Sequence, residues 1–109
     1  MKISRGILFA ALLGCALAAG AQQAFPNRPI AIVVAFSAGG PTDSIARILA
    51  ARMSVAIGQT VVVENTTGAG GTIGVGRVAK AAPDGYLIGI GHIGTHVVNG
   101  AIYPLTYDL

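Results

Sequence analysis

Cysteine and charge are scarce in this 109-residue sequence: a single Cys, at position 15, and 10% charged residues. Cys15 lies in an apolar N-terminal stretch that reads as a removable leader, so the mature chain is expected to form neither a disulfide nor a thiolate metal site. The formal charge of +3 falls to +1 once Lys2 and Arg5 leave with that leader. A chain this neutral carries no concentrated basic patch, which argues against nucleic acid or an acidic membrane as partner. Nucleotide signatures are missing too. No G-K-[ST] follows any glycine loop, which excludes a P-loop. The G-x-G-x-x-G pattern fails because position 73 is Ile, and the run Tyr86 to Ile90 ends in glycine where a ribose-holding acid would stand. No cofactor is expected. His92 and His96 are four apart, but Gly91 and Gly94 argue against a helix there and no third ligand lies nearby, so no metal site is expected either.

What is present begins with the leader. Lys2 and Arg5 make a short basic start, Ile7 to Ala18 is almost wholly apolar, and Ala19-Gly20-Ala21 supplies the small residues of a cleavage site. Residues 1–21 are read as a signal peptide cut before Gln22, with 22–109 as the exported chain. The apolar stretch is shorter than the roughly 20 residues a membrane-spanning helix needs. "LLGC" at Leu12 to Cys15 resembles a lipoprotein processing site, but the sequence stays apolar through Ala19, which favours simple cleavage. Lipidation at Cys15 stays open. The hydrophobic fraction of 53% fits such a leader joined to a globular rather than a disordered chain.

The exported part alternates strand and helix patterns. Ile30 to Ala35, "IAIVVA", is a continuous apolar run rich in β-branched residues, as in a strand buried on both faces. From Pro41 the apolar residues Ile45, Ile48, Leu49, Met53 and Ile57 recur three or four apart, which predicts an amphipathic helix buried along that stripe. Thr42 or Asp43 is expected to cap its start and Gly58 its end. Val61 to Val63 predicts a second strand, "NTTGAGG" from Asn65 to Gly71 a loop, and Ile73 to Ala82 a small-residue helix stopped by Pro83. After a "PDG" turn, Tyr86 to Ile90 predicts a third strand and "GHIGTH" a third glycine loop. This βαβαβ order predicts an α/β fold with a parallel sheet and right-handed crossovers. All three loops that follow a strand then leave the same carboxyl edge, where open α/β sheets bind ligands.

The loops carry donors rather than nucleophiles. Gly39 and Gly40 can turn successive amide N–H groups outward, Pro41 suits a first helical turn, and a helix start adds unpaired donors with partial positive charge. Thr42 and Ser44 add hydroxyls, and Asp43 is expected to cap the helix or accept from a ligand. Gly68, Gly70 and Gly71 repeat the arrangement, with Asn65 at the strand end. The bland alternative is that these glycines only shape tight turns. "AFSAG" at Ala35 to Gly39 matches a nucleophile elbow with Ala for its first Gly, and Asp84 and His96 follow in hydrolase order. Asp84, however, falls in a turn before a strand, at the opposite edge of a parallel sheet. A hydrolase using Ser37 is therefore the alternative, with no enzymatic activity as the main reading. Arg47, Arg52 and Arg77 read as solvated surface charges.

Three ordered stretches, "PNRPIAIVVAFSAGGPTDSIARILA", "GQTVVVENTTGAGGTIGVGRVAKAAPDGYLIGIG" and "GTHVVN", together resemble the tripartite tricarboxylate transporter substrate-binding proteins, the Bug family of exported bacterial solute receptors. The resemblance runs from about Phe25 to Asp108. It implies part of the first domain of a type II-like periplasmic-binding-protein fold, in which two α/β domains close on a small carboxylate. It further implies a periplasmic monomer that delivers this ligand to a membrane permease or a sensor. Carried onto this sequence, the ligand-binding set is Ser37, Ala38, Gly39, Gly40, Thr42, Asp43 and Ser44 from the first loop, Asn65, Gly70, Gly71 and Thr72 from the second, and Thr95 and His96 from the third. Members of that family are longer, so a fragment lacking the second domain, or a truncated remnant without function, is an expectation as well.

Overall fold

The computed structural model describes residues 24–109; the expected leader, its cleavage site and Cys15 lie outside the described residues. The strands β1 (Ile30–Val34), β2 (Val61–Asn65) and β3 (Leu87–Ile90) form one sheet in the order β2-β1-β3. Both pairings are parallel, with Ile30 opposite Val61 and Ala31 opposite Leu87. The β1 run lacks alternation because β1 is the central strand. Ile30, Ile32 and Val34 pack on one face, while Val33 and Ala35 are buried on the other.

Helix α1 (Pro41–Ile57) links β1 to β2, and α2 (Thr72–Ala79) carries the chain from β2 across β1 to β3. Because β2 and β3 flank β1 on opposite sides, the crossovers diverge at the carboxyl end of β1. Such a divergence opens a crevice.

The buried face of α1 differs from the expected one. Ala46 and Ala50 lie on the core with Asp43, whereas Ile45, Ile48 and Leu49 are exposed by 59%, 67% and 45%. Side-chain size explains the difference. Two alanines let the helix backbone settle close to Ile30, Ile32, Val34 and Val61, where larger side chains would hold it off. Met53 and Ile57 do pack against this cluster, so two of the five residues of the expected stripe meet the core.

The start of α1 is also built differently. Gly40 is the N-cap, Pro41 is the first helical residue, and no side chain caps the helix. Gly58 ends it in the left-handed conformation, as expected. Glycines set the packing of α2: a Cβ at Gly74 would lie 2.7 Å from the Thr66 carbonyl oxygen and 2.9 Å from Ala35 Cα. Helix α2 stops at Ala79, three residues before the expected end.

Beyond β3 the expected loop is helical. Gly94–Val98 form a turn of π-helix that runs into α3 (Asn99–Ile102). Side-chain bonds compensate for the two glycines: the Gly94 amide donates to His92 Nδ1 at 2.9 Å, and the Thr95 hydroxyl bonds the His92 backbone.

Candidate functional site

The three strand ends meet at one ledge on the carboxyl edge of the sheet. Asn65, at the end of β2, ties the first loop down. Its Nδ2 donates to the Phe36 carbonyl at 3.0 Å and to Asp43 Oδ1 at 2.9 Å. The Thr66 amide donates to the Val34 carbonyl, which continues the β1–β2 pairing into the loop. Gly71 brings the second loop against the first and third: a Cβ there would lie 2.8 Å from Thr95 Cγ2 and 3.3 Å from both Ala35 Cβ and the Phe36 ring. His92 stacks on Phe36 with ring centroids 4.9 Å apart. Asn99 Nδ2 donates to the Gly70 carbonyl at 2.9 Å, which locks the second loop to α3.

Asp43, in the first turn of α1, turns back onto the first loop and is 2% exposed. Its carboxylate accepts from the Gly39 amide at 2.8 Å, from Arg47 Nε and Nη2 at 2.8 and 3.1 Å, and from Asn65. The Arg47 hydrogen bonds first, then those of Gly39 and Asn65, hold its carboxyl well below the ordinary aspartate range. Its hydrogen bonds to Asp43, and then the Asp43 charge, push the Arg47 guanidinium up.

Not every expected residue is free to meet a ligand. All the acceptor positions of Asp43 are occupied within the protein, and the Gly39 amide is occupied with it. Ser44 turns its hydroxyl back to the Gly40 carbonyl at 3.1 Å. Thr95 is fully buried, with its hydroxyl between the His92 backbone and His96 Nδ1. Gly71 is buried as a spacer. What stays accessible is Ser37, Ala38 and Gly70, exposed, and Gly40, Thr42 and Thr72, half-buried, with His96 exposed at the rim; the first turn of α1 adds amides that lack an intrahelical partner. Only Gly39 of the first glycine pair needs a positive φ, at 84°; Gly40 sits at φ −78°, and a Cβ there would meet only the Ser37 carbonyl, at 3.5 Å. The second loop is the more demanding, with positive φ at Gly68, Ala69, Gly70 and Gly71 in succession.

The arginines near the ledge are not simply solvated. Arg47 pairs with Asp43, and Arg77 pairs with Glu64 at 2.5 Å and donates to Thr66 at 3.2 Å. The ledge therefore presents neutral donors backed by neutralised pairs. A hydrolase triad is not assembled: Asp84 pairs with Arg28 at 3.0 Å, ahead of β1 and at the opposite end of the sheet from Ser37. Among the described residues no cluster of three metal-ligating side chains occurs.

Sequence reasoning missed Arg47, Phe36, His92 and Asn99 as builders of the ledge. The four-residue spacing of Asp43 and Arg47 is a legible helical pair. The Phe36–His92 stack and the Asn99 bond join segments distant in sequence and leave no local signal.

Comparison with known proteins gives a consistent result. The sequence profile of the tripartite tricarboxylate transporter family receptor matches residues 45–108. A protein of Agrobacterium vitis, described as the UPF0065 protein in the TAR-I ttuE-ttuC' intergenic region, is 49% identical over 86 residues, which are 79% of this chain and 25% of that protein. A solved periplasmic transporter superposes with a TM-score of 0.75 at 48% identity, covering 78% of this chain and 29% of its own. MatC (Rpa3494) from Rhodopseudomonas palustris, solved with bound malate, superposes with a TM-score of 0.73 at 48% identity over 77% of this chain and 29% of its own. The chain spans about a quarter of the length of the curated relatives it matches.

Proposed function

We propose a function from one established premise: this chain belongs to the tripartite tricarboxylate transporter receptor family. Its role is to hold a small carboxylate on the ledge at the carboxyl ends of β1, β2 and β3, as one wall of a solute-binding cleft. It acts in the periplasm after export, without catalysis, and passes the ligand to a membrane permease or a sensor.

The observation that carries this reading is the convergence of three strand-end loops into one cross-braced surface that exposes Ser37, Ala38 and Gly70 beside the first turn of α1, with Arg47 and Arg77 held in ion pairs. Neutral donors at a helix start favour an anionic group without the desolvation of a counter-charge. Ordered water can bridge the remaining distance at little cost. The malate bound in MatC supports a dicarboxylate as the first ligand to try.

Calorimetric titration with malate and with its dimethyl ester tests the proposal. Saturable binding of the acid, unchanged between low and moderate salt, with no binding of the ester, is the expected result. Equal response to both, or binding that collapses with salt, would contradict a neutral carboxylate site.

A further inference from the structure

Resting on the reading of the ledge as a carboxylate site, we infer that Asp43, Arg47 and Asn65 form a positioning device that sets the first loop in its ligand-ready shape without touching the ligand. Three elements converge on one buried carboxylate: the first loop through the Gly39 amide, α1 through both nitrogens of Arg47, and β2 through Asn65 Nδ2. Asn65 adds a second hold on the same loop at the Phe36 carbonyl. The loop is thereby fixed on both sides of Ser37–Ala38, the outward stretch between these anchors.

The geometry explains a feature that is otherwise awkward for anion binding. An aspartate three residues into a helix, beside an anion site, would repel the ligand if its charge faced outward. Here the side chain is 2% exposed and turns back onto Gly39, and Arg47 neutralises it from the flank. The Gly39 amide is given up to the carboxylate, and in exchange the neighbouring Ala38 and Gly40 amides hold one orientation. Gly39 takes a φ of 84°, so the bond fixes a glycine that would otherwise sample several conformations.

The sign of one substitution separates positioning from the alternatives. Asp43→Asn keeps the shape but removes the charge: with its oxygen toward Asn65 and Arg47 Nη2, its amide nitrogen meets the Gly39 amide and Arg47 Nε donor to donor, and the Gly39 bond is lost. Malate is the probe, with affinity read by calorimetry and loop geometry by the Gly39 amide resonance and its hydrogen exchange. Positioning predicts that malate affinity falls by at least about tenfold, the scale of one hydrogen bond to a charged group. It also predicts that Gly39 loses its exchange protection while the β1, β2 and β3 amides keep theirs. Arg47→Lys, a partly exposed change that retains the charge and loses the fork, should weaken binding in the same direction by less.

Tighter binding in Asp43→Asn would mean that the carboxylate acts on the ligand as a repelling charge, and it would overturn the inference. Unchanged affinity with only a lowered unfolding midpoint would make the trio merely stabilising and would overturn it equally. Absence of malate binding to the unsubstituted chain, with Gly39 protection still lost in Asp43→Asn, would sink the carboxylate reading instead and leave the loop-shaping role supported.

Discussion

At Gly74 two residue-scale effects oppose each other. Alanine is the better helix former by about 1 kcal/mol, which would stabilise α2 in isolation. Its Cβ, however, would stand 2.7 Å from the Thr66 carbonyl oxygen and 2.9 Å from the Ala35 backbone, neither of which is a flexible side-chain tip. Overpacking against backbone costs about 1–3 kcal/mol, so sterics win. Gly74→Ala should lower the urea midpoint of the chain; a raised midpoint would mean that α2 does not lie directly on β1. A pH effect belongs to the same scale. Asp43 has its pKa lowered from the ordinary 3.8, so it binds its proton less readily in the native chain than in the unfolded one. The stabilisation linked to its ionised form is complete above that ordinary value and is lost as pH falls below it toward the native pKa. Urea midpoints measured from neutral pH downward should show a drop beginning near pH 4 in the unsubstituted chain and a smaller one in Asp43→Asn. Parallel curves for the two proteins would contradict the assignment.

Among the elements, α1 shows most clearly what the sequence allowed to be read and what it concealed. Its boundaries followed from Pro41 and Gly58, because a fixed φ at one end and a left-handed cap at the other are local requirements. Its buried face did not follow from hydrophobicity, because the decisive quantity is the distance between helix and sheet, which only tertiary packing sets. Ala46 is fully buried against the cluster around Ile32 and Val34, while Ile48 is 67% exposed. Ala46→Leu should therefore destabilise the chain by about 1–3 kcal/mol. Ile48→Gln should change stability by less than about 0.5 kcal/mol. Denaturation of the two variants checks this directly; the reverse order would restore the stripe expected from periodicity. The helical segment after β3 was concealed for a related reason. Gly91 and Gly94 oppose a helix on propensity, and the bonds that favour it come from the His92 and Thr95 side chains, whose geometry exists only once the turn has formed.

For the whole molecule, strand order is what turns three ordinary loops into one continuous surface. The βαβαβ pattern was legible from apolar runs and glycine turns, and it placed the loops on one edge before any contact was known. It could not indicate that β3 pairs with β1 rather than β2, and this arrangement puts the first and third loops side by side. The Phe36–His92 stack and the Gly71–Thr95 contact then follow as consequences of topology. Residues singled out as ligand contacts accordingly divide into two groups. Asp43, Gly71 and Thr95 are internal braces, while Ala38, Gly40, Thr42, Gly70 and Thr72 form the outward surface. A packing gap of about 190 Å³ between α2 and β3, lined by Val33, Val75, Val78 and Ile90 among others, offers a different, largely apolar place for a small molecule. Amide-resolved titration of the ¹⁵N-labelled chain with malate distinguishes the two surfaces. The account predicts saturable shifts concentrated at Ala38, Gly40, Thr42, Asp43 and Gly70–Thr72, with the amino-terminal ends of the strands unmoved. Shifts centred on Val75, Val78 and Ile90, or none that saturate, would contradict it.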